Sequence, residues 1–139
     1  MKIRSIDVYA VELLQSSATA ISGGRVIDRQ ESTIVAVHAD DGIVGWAESC
    51  PWSPVYLPTF AGAIRAALEL LGPALLGADP CNLAEVSLTM QRVLAGQEQA
   101  KHAIDTACHD LLARSLGVPV HQLLGGMATP ELPYAGFLH

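Results

Sequence analysis

Charge is scarce in this sequence. Only 16% of its 139 residues are Asp, Glu, Lys or Arg, while half are hydrophobic. That balance argues against intrinsic disorder, which needs low hydrophobicity and high charge. Eight basic residues against fourteen acidic ones leave a net charge of −6. No basic block stands anywhere along the chain, so a nucleic-acid footprint is not expected. Cysteine is sparse as well: Cys50, Cys81 and Cys108 are odd in number and form no C-x-x-C pair. Neither a disulfide framework nor a zinc knuckle is indicated, and buried or half-buried thiols are expected. A long apolar run is missing too. The longest candidate, 60–76, is broken by Arg65, Glu69 and Gly72-Pro73, so no membrane span is expected. Met1 to Asp7 lacks the apolar core of a signal peptide, and a reduced, cytoplasmic setting is the expectation. A (β/α)8 barrel, at roughly 250 residues, does not fit in this length.

What is present is patterning. Ile3 to Leu14 mixes β-branched, aromatic and polar residues with partial period-two alternation. Gln15 to Glu31 turns polar around Ser22-Gly23-Gly24 and reads as a disordered or working loop. Thr33 to Ala39 alternates again, then Asp41-Gly42 stands before Ile43 to Glu48. A D-G pair between alternating runs signals a hairpin, since glycine accepts the positive φ of a tight turn. The first third therefore predicts a three-stranded antiparallel meander. Ser49 to Pro58 forms a second loop with three prolines and two large aromatics, Trp52 and Tyr56.

Helical spacing follows. Phe60, Ile64, Ala67, Leu68 and Leu71 form one stripe, which Gly72-Pro73 is expected to stop. Asn82 can cap a second helix, with Glu85 three residues on and Leu83, Val86, Met90, Val93 and Leu94 on one side. A third helix is predicted over 98–116, closed by Gly117 and Pro119. Val120 to Leu124 makes a helical turn, and Glu131 to His139 has the composition of a strand.

Candidate chemistry is thin. His102, Asp105 and His109 share one helix face and have residue types that could hold zinc. That face is opposite the apolar stripe, so a solvated surface with an Asp105–His109 pair is the expected reading. Glu48 ends a strand and could serve as a general base, or simply bond nearby backbone and loop groups. The glycine doublets 23–24 and 125–126 fit neither a dinucleotide fingerprint nor a Walker loop, and no G-x-S-x-G elbow occurs. Trp52 and Tyr56 could form a hydrophobic wall or a cage for a cationic ligand, or pack on a neighbouring domain or subunit. From the residues alone, the chain is an α+β domain without a self-contained catalytic set.

Four stretches carry a resemblance: Val35 to Glu48, ending Gly45-Trp46-Ala47-Glu48; Leu71 to Pro80; Ala103 to Leu112; and Leu116 to Gly126. In this order and spacing they resemble the N-terminal capping domain of the enolase superfamily, in its mandelate racemase/muconate lactonizing enzyme branch. Glu48-Ser49-Cys50-Pro51 followed by Tyr56-Leu57-Pro58 is most similar to members acting on proline betaines and hydroxyprolines, as epimerases or dehydratases.

The resemblance implies a meander followed by a helical bundle over 1–126, with 127–139 as the first strand of a (β/α)7β barrel. It also implies Mg²⁺ and the catalytic bases on that barrel, abstraction of the proton α to a carboxylate, and a small-molecule carboxylate substrate. No catalytic or metal residue is thereby assigned within this chain, which alone is expected to be inactive. The residues it does assign are substrate-facing: Ile21 to Ile27 match the first capping loop, and Cys50, Trp52 and Tyr56 the second. A homo-oligomer is expected. The alternative function is a stand-alone interaction or oligomerisation module with the same fold.

Overall fold

The computed structural model describes residues 1–21, 23–52, 57–131 and 133. Three strands, β1 (Ile3–Ile21), β2 (Arg25–Ala39) and β3 (Val44–Ser49), form one antiparallel sheet in the order β1-β2-β3. Four helices follow: α1 (Ala61–Leu75), α2 (Leu83–Val93), α3 (Glu98–Leu116) and the short α4 (Val120–Leu123). The predicted α+β meander and bundle is what forms. Of the strand expected over 131–139, only residues 131 and 133 are described, and the rest lies outside the described residues.

Register assigns each strand residue to a face, because directly opposed residues project the same way. One face carries Val8, Val35, Val37 and Ala47, and the helices pack on it: α1 against β1 and β2, α3 against β2 and β3. Val35, Val37, Ile64, Leu71, Leu75, Ile104 and Leu111 are fully buried there. The other face carries Asp7, Tyr9, Val11, Ile34, Ala36, His38, Trp46 and Glu48.

Two expectations are corrected. The segment 15–31 is not a loop. The strands run on as a two-stranded arm, with Thr19 opposite Ile27 and Ile21 opposite Arg25, turning through Gly23 and Gly24 at positive φ. No apolar alternation marks this arm because only Ile27 in it is buried among apolar residues. The ladder itself is backbone pairing, which is indifferent to side-chain polarity. Similarly, Gly72-Pro73 does not stop α1, which continues to Leu75 with Pro73 inside. The exposed proline forgoes one backbone bond, while the extra turn brings Leu75 into the core.

The rest follows the local rules. Asn82 Oδ1 accepts from the Glu85 N–H at 3.2 Å, and Asp41 Oδ1 from the Ile43 N–H at 3.1 Å at the hairpin turn. At the end of α3, Gly117 (φ 68°) donates to Arg114 O and Val118 to Ala113 O, closing the helix. Asp110 Oδ2 reaches across from α3 to accept the Trp46 N–H of edge strand β3 at 2.9 Å, and is itself held by Arg114 Nε at 2.8 Å. Asp110→Ala should therefore cost about 2 kcal/mol, the scale of a hydrogen bond to a charged group. Urea denaturation measures this, with Asp110→Asn expected to retain part of it.

Burial pushes the Cys108 thiol up to about 12 from 9.0, with a smaller contribution from Asp105. Its folded pKa thus lies above its unfolded one. The associated stability is fully present below pH 9 and is lost as pH rises from 9 towards 12, by up to about 1.4 kcal/mol per pH unit. The Tyr9 phenol is also raised, by desolvation first and Asp7 second, so it weakens the fold in the same direction. Comparing urea midpoints from pH 8 to 11 with those of Cys108→Ala isolates the thiol: the variant should show the flatter alkaline decline.

Candidate functional site

A cleft of about 420 Å³ opens between the root of the β1–β2 arm and the segment entering α1. Its walls are apolar at Ile27, Trp52 and Phe60 and charged at Glu12, Arg29 and Glu31, with Asp28 beside them. The volume is within the range of small-molecule pockets.

Strand register builds the charged wall. Glu12 and Glu31 are directly opposed across β1 and β2, a like-charge pair that is unfavourable on its own. Arg29 relieves it, its Nη1 lying 3.1 Å from Glu12 Oε1 and its Nε 3.3 Å from Asp28 Oδ1. From α1, Arg65 Nη2 stands 3.5 Å from Glu31 Oε1. The hydrogen bond to Asp28, then the charge of Glu12, raise the pKa of the Arg29 guanidinium. The lining still carries three carboxylates against the one arginine, so the cleft favours a cationic group. Trp52 is half-buried at φ 53°, a left-handed backbone that costs a non-glycine residue about 1–2 kcal/mol. Phe60 stands at the N-cap position of α1 and is 52% exposed, rather than packing in the apolar stripe where its spacing puts it.

Of the residues expected to face a substrate, Ile27 and Trp52 are brought together on this cleft. Ile21 sits near the arm tip, half-buried and opposite Arg25. Cys50 lines a second groove with Gln30, Glu48, Ser49, Gln99 and His102, and its Sγ is 3.2 Å from Gln30 Oε1. Tyr56 lies outside the described residues. Glu48 accepts a hydrogen bond from Ser32 Oγ, a carboxylate bonded to its neighbour. On α3, His109 Nδ1 lies 2.9 Å from the Asp105 carbonyl and 3.4 Å from its carboxylate, so the i,i+4 pair forms. His102 turns instead to Thr106 Oγ1, at 3.4 Å. Among the described residues, no three His, Cys, Asp or Glu side chains are arranged to hold a metal ion, and no helix is long and apolar enough to cross a membrane.

Glu12, Arg29, Glu31 and Phe60 escape sequence reasoning. They become neighbours only through the pairing of an arm that the sequence presents as a polar link.

Residues 5–125 match the model of the mandelate racemase / muconate lactonizing enzyme N-terminal domain. A cis-3-hydroxy-L-proline dehydratase of Roseibium aggregatum is 40% identical over 133 residues, which are 95% of this chain and 36% of that protein. An N-succinyl-L-Arg/Lys racemase of Bacillus cereus is 35% identical, over 96% of this chain and 36% of its own length. A crystal structure of an enolase-superfamily member from Roseovarius nubinhibens, complexed with magnesium, superposes with a TM-score of 0.84 at 38% identity. It covers 90% of this chain and 34% of that one. The chain thus spans about a third of the length of these relatives. It belongs to the mandelate racemase/muconate lactonizing enzyme branch of the enolase superfamily and has the fold of that family's N-terminal domain.

Proposed function

We propose that residues 1–126 cap the active site of a Mg²⁺-dependent racemase, epimerase or dehydratase that removes the proton α to a carboxylate, and that 127–139 begin its barrel. The observation that carries this reading is the cleft between the arm and the Trp52 segment. Both stretches assigned to substrate by resemblance contribute a wall, with Ile27 on one side and Trp52 on the other. Such a cap shields the reacting centre from water and selects the substrate by shape and charge.

The acidic, aromatic lining suits a substrate with a cationic nitrogen on a compact apolar frame, such as a proline or betaine derivative. The carboxylate of that substrate belongs near the magnesium. Within the cleft, Glu12 and Glu31 are engaged by Arg29 and Arg65, and the described residues offer no magnesium donor set. We assign the metal to the barrel rather than to this chain. Its own residues bind, orient and exclude water, and the chain by itself is inactive.

Exchange of the substrate's α-proton for deuterium, followed by NMR with Mg²⁺ across a panel of proline-type carboxylates, tests this. The protein carrying this cap together with a barrel should exchange, and residues 1–139 alone should not. Exchange by residues 1–139 alone would overturn the reading.

A further inference from the structure

The walls of the cleft stand on different elements, and one ion pair ties those elements together. Ile27 and Glu31 lie on the same face of β2, while Phe60 and Ala61 lead into α1 on the other side. One helical turn beyond Ala61, Arg65 brings its Nη2 to 3.5 Å from Glu31 Oε1. Among the described residues this is the only ion pair between α1 and the arm.

We propose that Arg65 is a positioning residue: it clamps the root of the β1–β2 arm to α1 and so fixes the width of the cleft that Ile27 and Trp52 border. The effect on substrate rests on the capping role; the clamp itself does not.

Three observations carry the proposal. The first is which partner is anchored. The Arg65 side chain is 27% exposed against 59% for Glu31, and it lies beside Val8 and Leu68 in the groove between β1 and α1. The helix therefore holds the cation still, and the arm comes to it. The second is that Arg65 Nη1 is buried without a hydrogen-bond partner among the described residues. An unpaired buried donor on a charged group destabilises a fold, and an apolar side chain of similar length would do as well or better. Stability does not account for an arginine here, whereas a tie between the walls does. The third is that Glu31 has no other cation. It stands directly opposite Glu12, and Arg29 is engaged by Glu12 and Asp28. Without Arg65 the like charges face each other unrelieved, and the root opens. The arm then acts as a lever. Ile27 is four residues beyond Glu31, about 13 Å along the strand, so a tilt of about 5° shifts it by about 1 Å. A displacement of that size is enough to impair catalysis.

Hydrogen–deuterium exchange and steady-state kinetics of the complete enzyme carrying this cap test the clamp. Arg65→Met keeps the length of the side chain and removes the tie. Amides of residues 15–31 should then exchange about 5-fold faster, the scale of one partly exposed ion pair, with those of α3 unchanged and the melting temperature equal or higher. KM for the proline-type carboxylate it exchanges should rise by about the same factor with kcat nearly constant, the signature of lost binding rather than lost chemistry. Arg65→Lys should recover both arm protection and KM. Glu31→Gln, on the exposed side of the pair, should reproduce Arg65→Met, and it replaces that variant should it fail to fold. The double variant should be no worse than either single one. Unchanged arm exchange in the single variants, or effects that multiply in the double, would overturn the proposal. A looser arm with unchanged KM would leave the clamp standing and overturn the substrate-facing role of the arm instead, so the two failures are told apart.

Discussion

Gly45→Ala should destabilise the fold by about 3 kcal/mol or more, on the scale of severe overpacking, and lower the melting temperature by roughly 10 °C. Gly45 lies on β3 where α3 crosses it. A Cβ there would stand 2.0 Å from the Ala107 carbonyl oxygen, 2.7 Å from Leu111 Cβ and 2.8 Å from Leu111 N. Two of those atoms are backbone and cannot rotate aside, so the helix must lift off the sheet. Lifting it opens the packing of Ala103, Ala107 and Leu111 and draws Asp110 away from the Trp46 N–H. Gly72→Ala is the matched control. Gly72 sits within α1, and a Cβ added there meets nothing within 4 Å apart from its chain neighbours; the Pro73 ring that follows offsets the usual helical gain of Gly→Ala, so the same methyl should change stability by less than about 1 kcal/mol. Thermal melts of both variants check the pair; a Gly45→Ala protein as stable as wild type would mean that α3 does not lie this close to β3.

Trp52→Ala, placed in the complete enzyme, should lower kcat/KM by about 30-fold, roughly 2 kcal/mol of lost substrate contact. The ring supplies one apolar wall of the cleft opposite Ile27. Trp52→Phe should keep most of the activity, because an aromatic face is retained. Trp52→Gly separates structure from function: it removes the ring but suits the φ of 53°. Its melting temperature should hold or rise while kcat/KM falls as far as in Trp52→Ala. Unchanged kcat/KM in Trp52→Ala across a panel of carboxylates would remove Trp52 from the binding surface.

Much of this fold is legible because burial writes itself into the spacing. Ala100, Ala103, Ile104, Ala107, Cys108 and Leu111 recur at helical intervals and are all buried, and Gly117 closes α3 where its φ is positive. The turn at Asp41-Gly42 is equally plain. The β1–β2 arm is not, because a ribbon outside the core needs no alternation. Pro73 misleads for a related reason: a local breaker is overridden when the next turn carries a core leucine. At the site, the proline-rich loop points to Trp52, and resemblance to Ile27. The Glu12–Arg29–Glu31 set depends on which residue of β1 faces which of β2, and that register leaves no trace in local composition.

The most direct measurement is the intact mass of the protein that carries this sequence in its native source. A capping domain of a complete enzyme requires a mass above 14.7 kDa by about 25–30 kDa, the size of a barrel of roughly 250 residues. A native mass of 14.7 kDa, with no barrel-bearing partner co-purifying, would contradict the capping role and leave the fold as a stand-alone association module.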